Sequence, residues 1–176
     1  MKINFDMDGT LVDFYGVENW LEMLQNEDTT PYAEAKPLIN FSLLARYLNK
    51  LAAIGYEINI ISWTARNGSP HFNSEVASVK REYLRQHLPS VTFTNIYIVE
   101  YGTPKHEISN GILFDDESLN RDDWGANAYQ PCEILTVLKS LLHREETSFS
   151  DVFRLKNRLQ NFSFVVYYNC SKRNGK

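Results

Sequence analysis

The sequence predicts an α/β fold, a Rossmann-like, doubly wound parallel sheet, and three observations predict it. Short strand-like runs stand at 2–6, 57–61, 95–99 and 111–114, and the second is rich in β-branched residues. Stretches with helical spacing of apolar residues separate most of them, and Gly and Pro punctuate the joins. Strands alternating with helices of 10–15 residues belong to parallel sheets covered by helices on both faces.

Taken in order, residues 2–6 read as a short strand ending at Asp6. Val17, Trp20, Leu21 and Leu24 share one side of a helix over 17–25. The stretch 26–37 is polar and holds Pro31 and Pro37, so it reads as a loop. Phe41, Leu44, Leu48 and Leu51 recur at helical spacing, with Gly55 as the stop. A buried strand follows at 57–61, then a helix over 73–87 that ends before Pro89. Strands at 95–99 and 111–114 and a helix over 134–142 complete the pattern. The expected core is therefore 1–143. The extension, 144–176, is compatible with a helix over 152–159 and an edge strand over 162–168, and suggests no function.

A length of 176 residues with 43% hydrophobic and 23% charged composition suits one globular domain with enough apolar material for a core. The net charge is −4, and the one basic block is the C-terminal Lys172–Lys176 stretch. That balance argues against a protein built to grip a nucleic-acid backbone. A small phosphorylated substrate remains open, because a bound cation supplies positive charge locally. Cys132 and Cys170 have no metal-type spacing and read as reduced thiols. Two acids among the first eight residues do not suit a secretory signal, and no apolar run approaches the roughly 20 residues a membrane span needs. The expectation is a soluble, cytoplasmic protein without a membrane partner; its oligomeric state is open.

In an open parallel sheet, ligands bind at the carboxyl ends of the strands. The first strand leaves Asp6-Met7-Asp8-Gly9-Thr10 there, and the second leaves Ser62-Trp63-Thr64-Ala65-Arg66. The third is followed by Gly102-Thr103-Pro104-Lys105, and the fourth by Asp115-Asp116-Glu117. Carboxylates converging without compensation raise one another's pKa values. A divalent cation relieves this, and a set of hard oxygen donors describes Mg2+ better than zinc or copper. The four histidines (His71, His87, His106, His143) are scattered and read as ordinary residues.

These residues resemble the haloacid-dehalogenase-like superfamily. Phe5-Asp6-Met7-Asp8-Gly9-Thr10-Leu11-Val12 matches its first motif, Ser62 its second, Lys105 its third and Asp115-Asp116 its fourth, over about residues 1–142. The resemblance implies a Mg2+-dependent phosphatase in which Asp6 attacks phosphorus and forms an aspartyl-phosphate. Asp8 would protonate the leaving oxygen, deprotonate the attacking water, and offer its backbone carbonyl to the metal. Gly9 would permit the tight turn and Thr10 would fix it by its hydroxyl, both beside the phosphate. Ser62 would bind a phosphate oxygen, Lys105 would offset charge on nucleophile and phosphate, and Asp115 and Asp116 would hold the metal. An acid at Asp8 looks like a phosphatase or phosphomutase, with phosphatase ahead because no large cap is present.

The residues leave alternatives. Thr64 lies on the same strand face as Ser62, so alternation does not choose between their hydroxyls. Lys80 competes with Lys105 but sits mid-helix and is expected to face solvent. Arg66 could meet substrate or water, while Asn120, Arg121 and Trp124 are read as packing and capping. The segment 14–37 stands where the family carries a cap, and is small. In it Trp20 is expected to pack, whereas Phe14, Tyr15 and Tyr32 could pack or stack on a nucleobase. Resemblance to small nucleotidase-like members suggests a 5′-nucleotide substrate. The competing functions are a non-catalytic phosphate-binding module and a nucleic-acid end phosphatase.

Overall fold

A computed structural model of the chain describes residues 1–145, and the expected helix and strand at 152–168 lie outside them. Backbone contacts divide the chain into a compact unit, Met1–Leu138, and a second unit, Lys139–Lys176. Of the second unit the described part, 139–145, is helical.

The first unit is built on five parallel strands: β1 (Lys2–Phe5), β4 (Glu57–Trp63), β5 (Asn95–Val99), β6 (Ile112–Phe114) and β7 (Ala128–Tyr129). Their order is β5-β4-β1-β6-β7. Leaving β1, the chain builds outward on one side through α3 (Phe41–Ala53) and α4 (Pro70–His87). It then crosses to the other side of β1 through α5 (Lys105–Ile108) and α6 (Ser118–Trp124). Right-handed crossovers in opposite directions put the two groups of helices on opposite faces, which gives the doubly wound architecture the sequence predicts.

Helices on both faces explain why β1, β4 and β6 are almost wholly buried, polar positions included. Ile3, Phe5, Ile58, Ile60, Ile61, Leu113 and Phe114 are buried. Two ladders run across the sheet on alternate residues. Phe5, Phe114 and Tyr129 are register neighbours, with ring centroids 5.0 Å apart for Phe5–Phe114 and 5.8 Å for Phe114–Tyr129. One residue earlier, Asn4, Asn59 and Asn95 stand side by side on β1, β4 and β5. Asn95 donates to Asn59 at 3.0 Å, Asn59 donates to Asn4 at 3.1 Å, and Asn4 donates to the Asn110 and Ile112 carbonyls at 2.9 Å. A one-residue slip would carry these amides to the opposite face and leave buried polar atoms unpaired, so the ladder fixes the register.

Several elements differ from expectation. Helix α4 begins at Pro70, not residue 73, because Ser69 caps it by accepting from the Phe72 N–H at 3.2 Å and Pro70 suits the first turn. Strand β4 runs to Trp63 rather than 61. The helix expected over 17–25 is a short α1 (Trp20–Gln25). The stretch read as a loop over 26–37 contains α2 (Thr30–Glu34) and β3 (Lys36–Pro37). Strand β3 pairs antiparallel with β2 (Val12–Asp13), so this ribbon pinches the ends of the inserted segment together. The segment's inner face, Phe14 and Tyr32, packs on Ala65 and on Phe72 and Val76 of α4, with Trp20 and Leu24 against that cluster. Two long-range contacts fasten it: the Tyr83 hydroxyl donates to the Ala35 carbonyl at 2.7 Å, and Glu27 accepts from the Ser69 N–H at 2.7 Å. A 3-10 turn, Pro131–Glu133, leads into the last helix among the described residues, where Ile134 and Leu138 are buried.

Asn4→Leu should cost about 2–3 kcal/mol, because it strips the partner from Asn59 and from two backbone carbonyls inside the sheet. Asn95→Ala, at the less buried end of the ladder, should cost less than half as much. Urea denaturation of both variants checks the ranking; equal losses would mean the ladder does not act as one network.

Candidate active site

The carboxyl ends of β1, β4 and β6 converge where the strand order reverses. Backbone pairing continues one residue past each strand and sets the next side chain. The Asp6 N–H donates to the Phe114 carbonyl at 2.9 Å, Thr64 to Val99 at 2.7 Å, and Asp115 to Tyr129 at 3.2 Å. After Asp6 the chain folds into a tight turn in which the Leu11 and Val12 N–H groups both donate to the Met7 carbonyl, at 2.9 and 3.0 Å.

Asp6, Asp115 and Asp116 each bring one carboxylate oxygen within 4.8 Å of the others. Lys105, at the start of α5 and buried, lies between two of them, 2.8 Å from Asp6 and 2.6 Å from Asp115. Asn120 of α6 donates to both Asp115 oxygens at 3.2 Å, and the Glu117 N–H donates to one at 2.9 Å. The Arg121 guanidinium donates to the Asp115 and Asp116 carbonyls at 2.8 and 2.6 Å, which fixes the loop that carries both acids.

Gly9 and Thr10 serve Asp116. Gly9 has φ +74°, and a Cβ there would overlap the Asp116 carboxylate, so only glycine fits. The Thr10 hydroxyl, expected to fix its own turn, is fully buried; it accepts from the Asp116 N–H at 3.0 Å and donates to Asp116 Oδ1 at 3.3 Å. The first and fourth motifs are thereby joined directly.

The Asp8 carboxylate is outside this trio. It faces Lys80, whose Nζ is 2.6 Å from Asp8 Oδ2, 2.9 Å from Ser62 Oγ and 2.6 Å from the Trp63 carbonyl. The expectation that Lys80 faces solvent is therefore wrong: the residue is 0% exposed. Phe72, Val76, Lys80, Tyr83 and Leu84 are the buried residues of α4. Their spacing of three and four puts Lys80 on the apolar face. That spacing was legible; the neighbouring Arg81-Glu82 obscured it by making the stretch look solvated. Asn120, expected to cap or pack, was missed as a partner of Asp115.

Above these groups opens a cavity of about 540 Å³, within the range of small-molecule sites. Asp6, Asp8, Ser62, Thr64, Lys105, Asp115 and Asp116 reach it, and the Thr64 hydroxyl is buried without a hydrogen-bond partner. Tyr15 and Trp20 line it, their rings 5.2 Å apart. Trp63 and Tyr101 line it too, tilted together at 4.9 Å, with the Arg66 guanidinium 5.6 Å over the Tyr101 ring. The Trp63 indole N–H donates to the Thr103 carbonyl at 2.9 Å and its ring lies 4.9 Å from Lys105 Nζ, so it braces the loop that delivers Lys105.

The electrostatics follow from crowding. Burial, then Asp6, pushes Asp115 up from 3.8 to about 6 against the pull of Lys105. Burial, Asp6 and Asp115 push Asp116 up to about 7. Burial also raises Asp8, with Asp6 adding and Lys80 opposing. For Lys105 burial works against the charge, but Asp6 and Asp115 outweigh it and lift the group to about 12. Three oxygen-donor carboxylates this close, two of them reluctant to ionise together, make a donor set that fits a hard divalent cation.

No family model matches the chain, and no curated protein sequence matches it. Among solved structures it is similar in fold to D,D-heptose 1,7-bisphosphate phosphatase from Burkholderia thailandensis, at 11% identity and a TM-score of 0.51, over 80% of this chain and 97% of that one. A protein from Vibrio cholerae aligns over 82% of this chain and 98% of its own at 20% identity, with a TM-score of 0.43. At these identities the first likeness is one of fold, and the second adds no argument. Among the described residues, no helix is long and apolar enough to cross a membrane.

In the presence of a chelator, stability should fall as pH rises from about 5 to about 7.5. The folded chain holds protons on Asp115 and Asp116 up to about 6 and about 7, whereas the unfolded chain has released them by pH 5. The folded state thus binds more protons across this window, and the stability present below it is lost on the way up. Urea midpoints across the range check this. Asp116→Asn should flatten the decline, and an unchanged slope would show that the cluster does not cause it.

Proposed function

We propose that the chain is a haloacid-dehalogenase-like phosphomonoester hydrolase that works with Mg2+ through an aspartyl-phosphate on Asp6. The observation that carries this reading is the placing of Asp6 beside Lys105 at 2.8 Å and in one trio with Asp115 and Asp116, while Asp8, two residues on, belongs to a separate contact set. One carboxylate is thus set to attack and a differently surrounded one to move protons.

Asp6 attacks phosphorus as the bond to the leaving oxygen breaks, giving the aspartyl-phosphate. Asp8 gives its proton to that oxygen, in keeping with a carboxyl that burial and Asp6 push upward. Asp8, now ionised, takes a proton from water. The hydroxide oxygen forms its bond to phosphorus, releasing phosphate and restoring Asp6. Lys105 balances charge on Asp6, and the Ser62 and Thr64 hydroxyls at the cavity are available as donors to phosphoryl oxygens. Asp6, Asp115 and Asp116, with the Asp8 carbonyl, are the residues to hold Mg2+, which when bound neutralises charge on the phosphoryl oxygens.

The substrate reading goes one step further, to a 5′-nucleotide. It is supported by the aromatic lining: Trp63 and Tyr101 with Arg66, and Tyr15, all reach the cavity and suit a flat ring held beside the phosphate.

Phosphate release from an aryl phosphate should require Mg2+, and Asp6→Asn should abolish it while leaving the circular dichroism spectrum intact. Turnover that survives in Asp6→Asn would remove the covalent mechanism. Tyr101→Ala should raise KM about tenfold for a nucleoside 5′-monophosphate, the loss of one stacking contact, and leave KM for glycerol phosphate unchanged. Equal changes for both would count against ring recognition.

A further inference from the structure

Lys80 is buried, charged and bound to the proposed acid/base group, yet the chemistry above gives it no task. An ammonium has three N–H donors, and three acceptors lie within reach: Asp8 Oδ2 at 2.6 Å, Ser62 Oγ at 2.9 Å and the Trp63 carbonyl at 2.6 Å. The Tyr32 ring, 5.0 Å from Nζ, lies on the group as well. Its side chain is 1% exposed and does not reach the cavity. A saturated, enclosed ammonium has no donor left for a phosphoryl oxygen, so Lys80 is not a substrate ligand. Lys105, in contrast, lines the cavity.

The acceptors come from two places, and the donor from a third. Asp8 lies in the turn after β1 and Ser62 and Trp63 end β4, while Lys80 projects from α4. Both Ser62 and Trp63 belong to a sheet strand, so one contact anchors Nζ to strand backbone and another to a hydroxyl on that strand. The third acts on the Asp8 carboxylate, which reaches out from its hydrogen-bonded turn to Nζ. We infer that Lys80 is a positioning residue that holds the Asp8 carboxylate by one oxygen and leaves the other aimed at the leaving group. The same contacts have a consequence for Ser62. Because its oxygen accepts from Lys80, its own hydrogen points away from Nζ and is left for a ligand in the cavity. One lysine therefore sets the orientation of both groups while touching no substrate.

This inference rests on the phosphatase reading and makes a separate prediction. A misaimed acid matters most where the leaving oxygen is a poor leaving group. An alkoxide needs its proton during bond breaking, and a p-nitrophenolate scarcely does. Lys80→Met keeps the length and removes the ammonium. It should lower kcat/KM for an alkyl phosphate on the order of 10²- to 10³-fold, the range of general acid catalysis, and for p-nitrophenyl phosphate about tenfold or less. Circular dichroism verifies the fold; if Lys80→Met does not fold, Lys80→Gln, which retains an amide donor, is judged by the same comparison. Equal losses on both substrates, or none, would overturn the positioning role, since a general structural defect does not depend on the leaving group. A wild type inert on both substrates would overturn the phosphatase reading, and this inference with it.

Discussion

Carboxylates gathered at one edge of a sheet repel one another, and water that would screen them is largely excluded. This chain meets that constraint with two buried lysines used differently. Lys105 lies between Asp6 and Asp115, and Lys80 takes Asp8. The acids are thereby separated into two electrostatic groups although Asp6 and Asp8 are two residues apart in the chain. A nucleophile has to stay ionised and a general acid has to keep a proton. In the proposed chemistry Lys105 favours the ionised form of Asp6, whereas burial and the charge of Asp6 push Asp8 toward its protonated form against the pull of Lys80.

The rest of the fold holds these charges still. The site sits where the chain leaves β1 in one direction and returns on the other side, the place where an open α/β sheet parts at its carboxyl edge. The asparagine and aromatic ladders set the register two residues and one residue before Asp6, respectively. A slip there would turn Asp6 to the wrong face. Thr10 then ties the first turn to Asp116, and Arg121 ties the Asp115-Asp116 backbone to α6, so the acids have supports on both sides.

The inserted segment adds shape. It is pinched by β2 and β3 and fastened to α4 through Glu27–Ser69 and Tyr83–Ala35. Its buried aromatics, Phe14 and Tyr32, form its floor, and Tyr15 is left half exposed at the cavity. Helix α4 thus serves two structures at once: Phe72 and Val76 receive the insert, and Lys80, one turn further, receives Asp8.

By itself the sequence determined the alternation of strands and helices and the location of the carboxylates at strand ends, because apolar periodicity and strand-terminal motifs are local properties. Asp6, Asp115, Asp116 and Lys105 were all named from chain position, and the fold brings them together. The short pieces α2, β2, β3, α5, α6 and β7 were not legible, since two to seven residues carry too little periodicity to declare themselves and owe their form to the neighbours they pack on. Tertiary structure alone decided which lysine meets which acid. The direction of a long charged side chain depends on what covers its face of the helix, and for Lys80 that cover is β4 and the turn after β1, distant in sequence. It also decided that Asn120 reaches Asp115 and that Trp63 and Tyr101 stand together as a wall, contacts made across crossovers that no local pattern records.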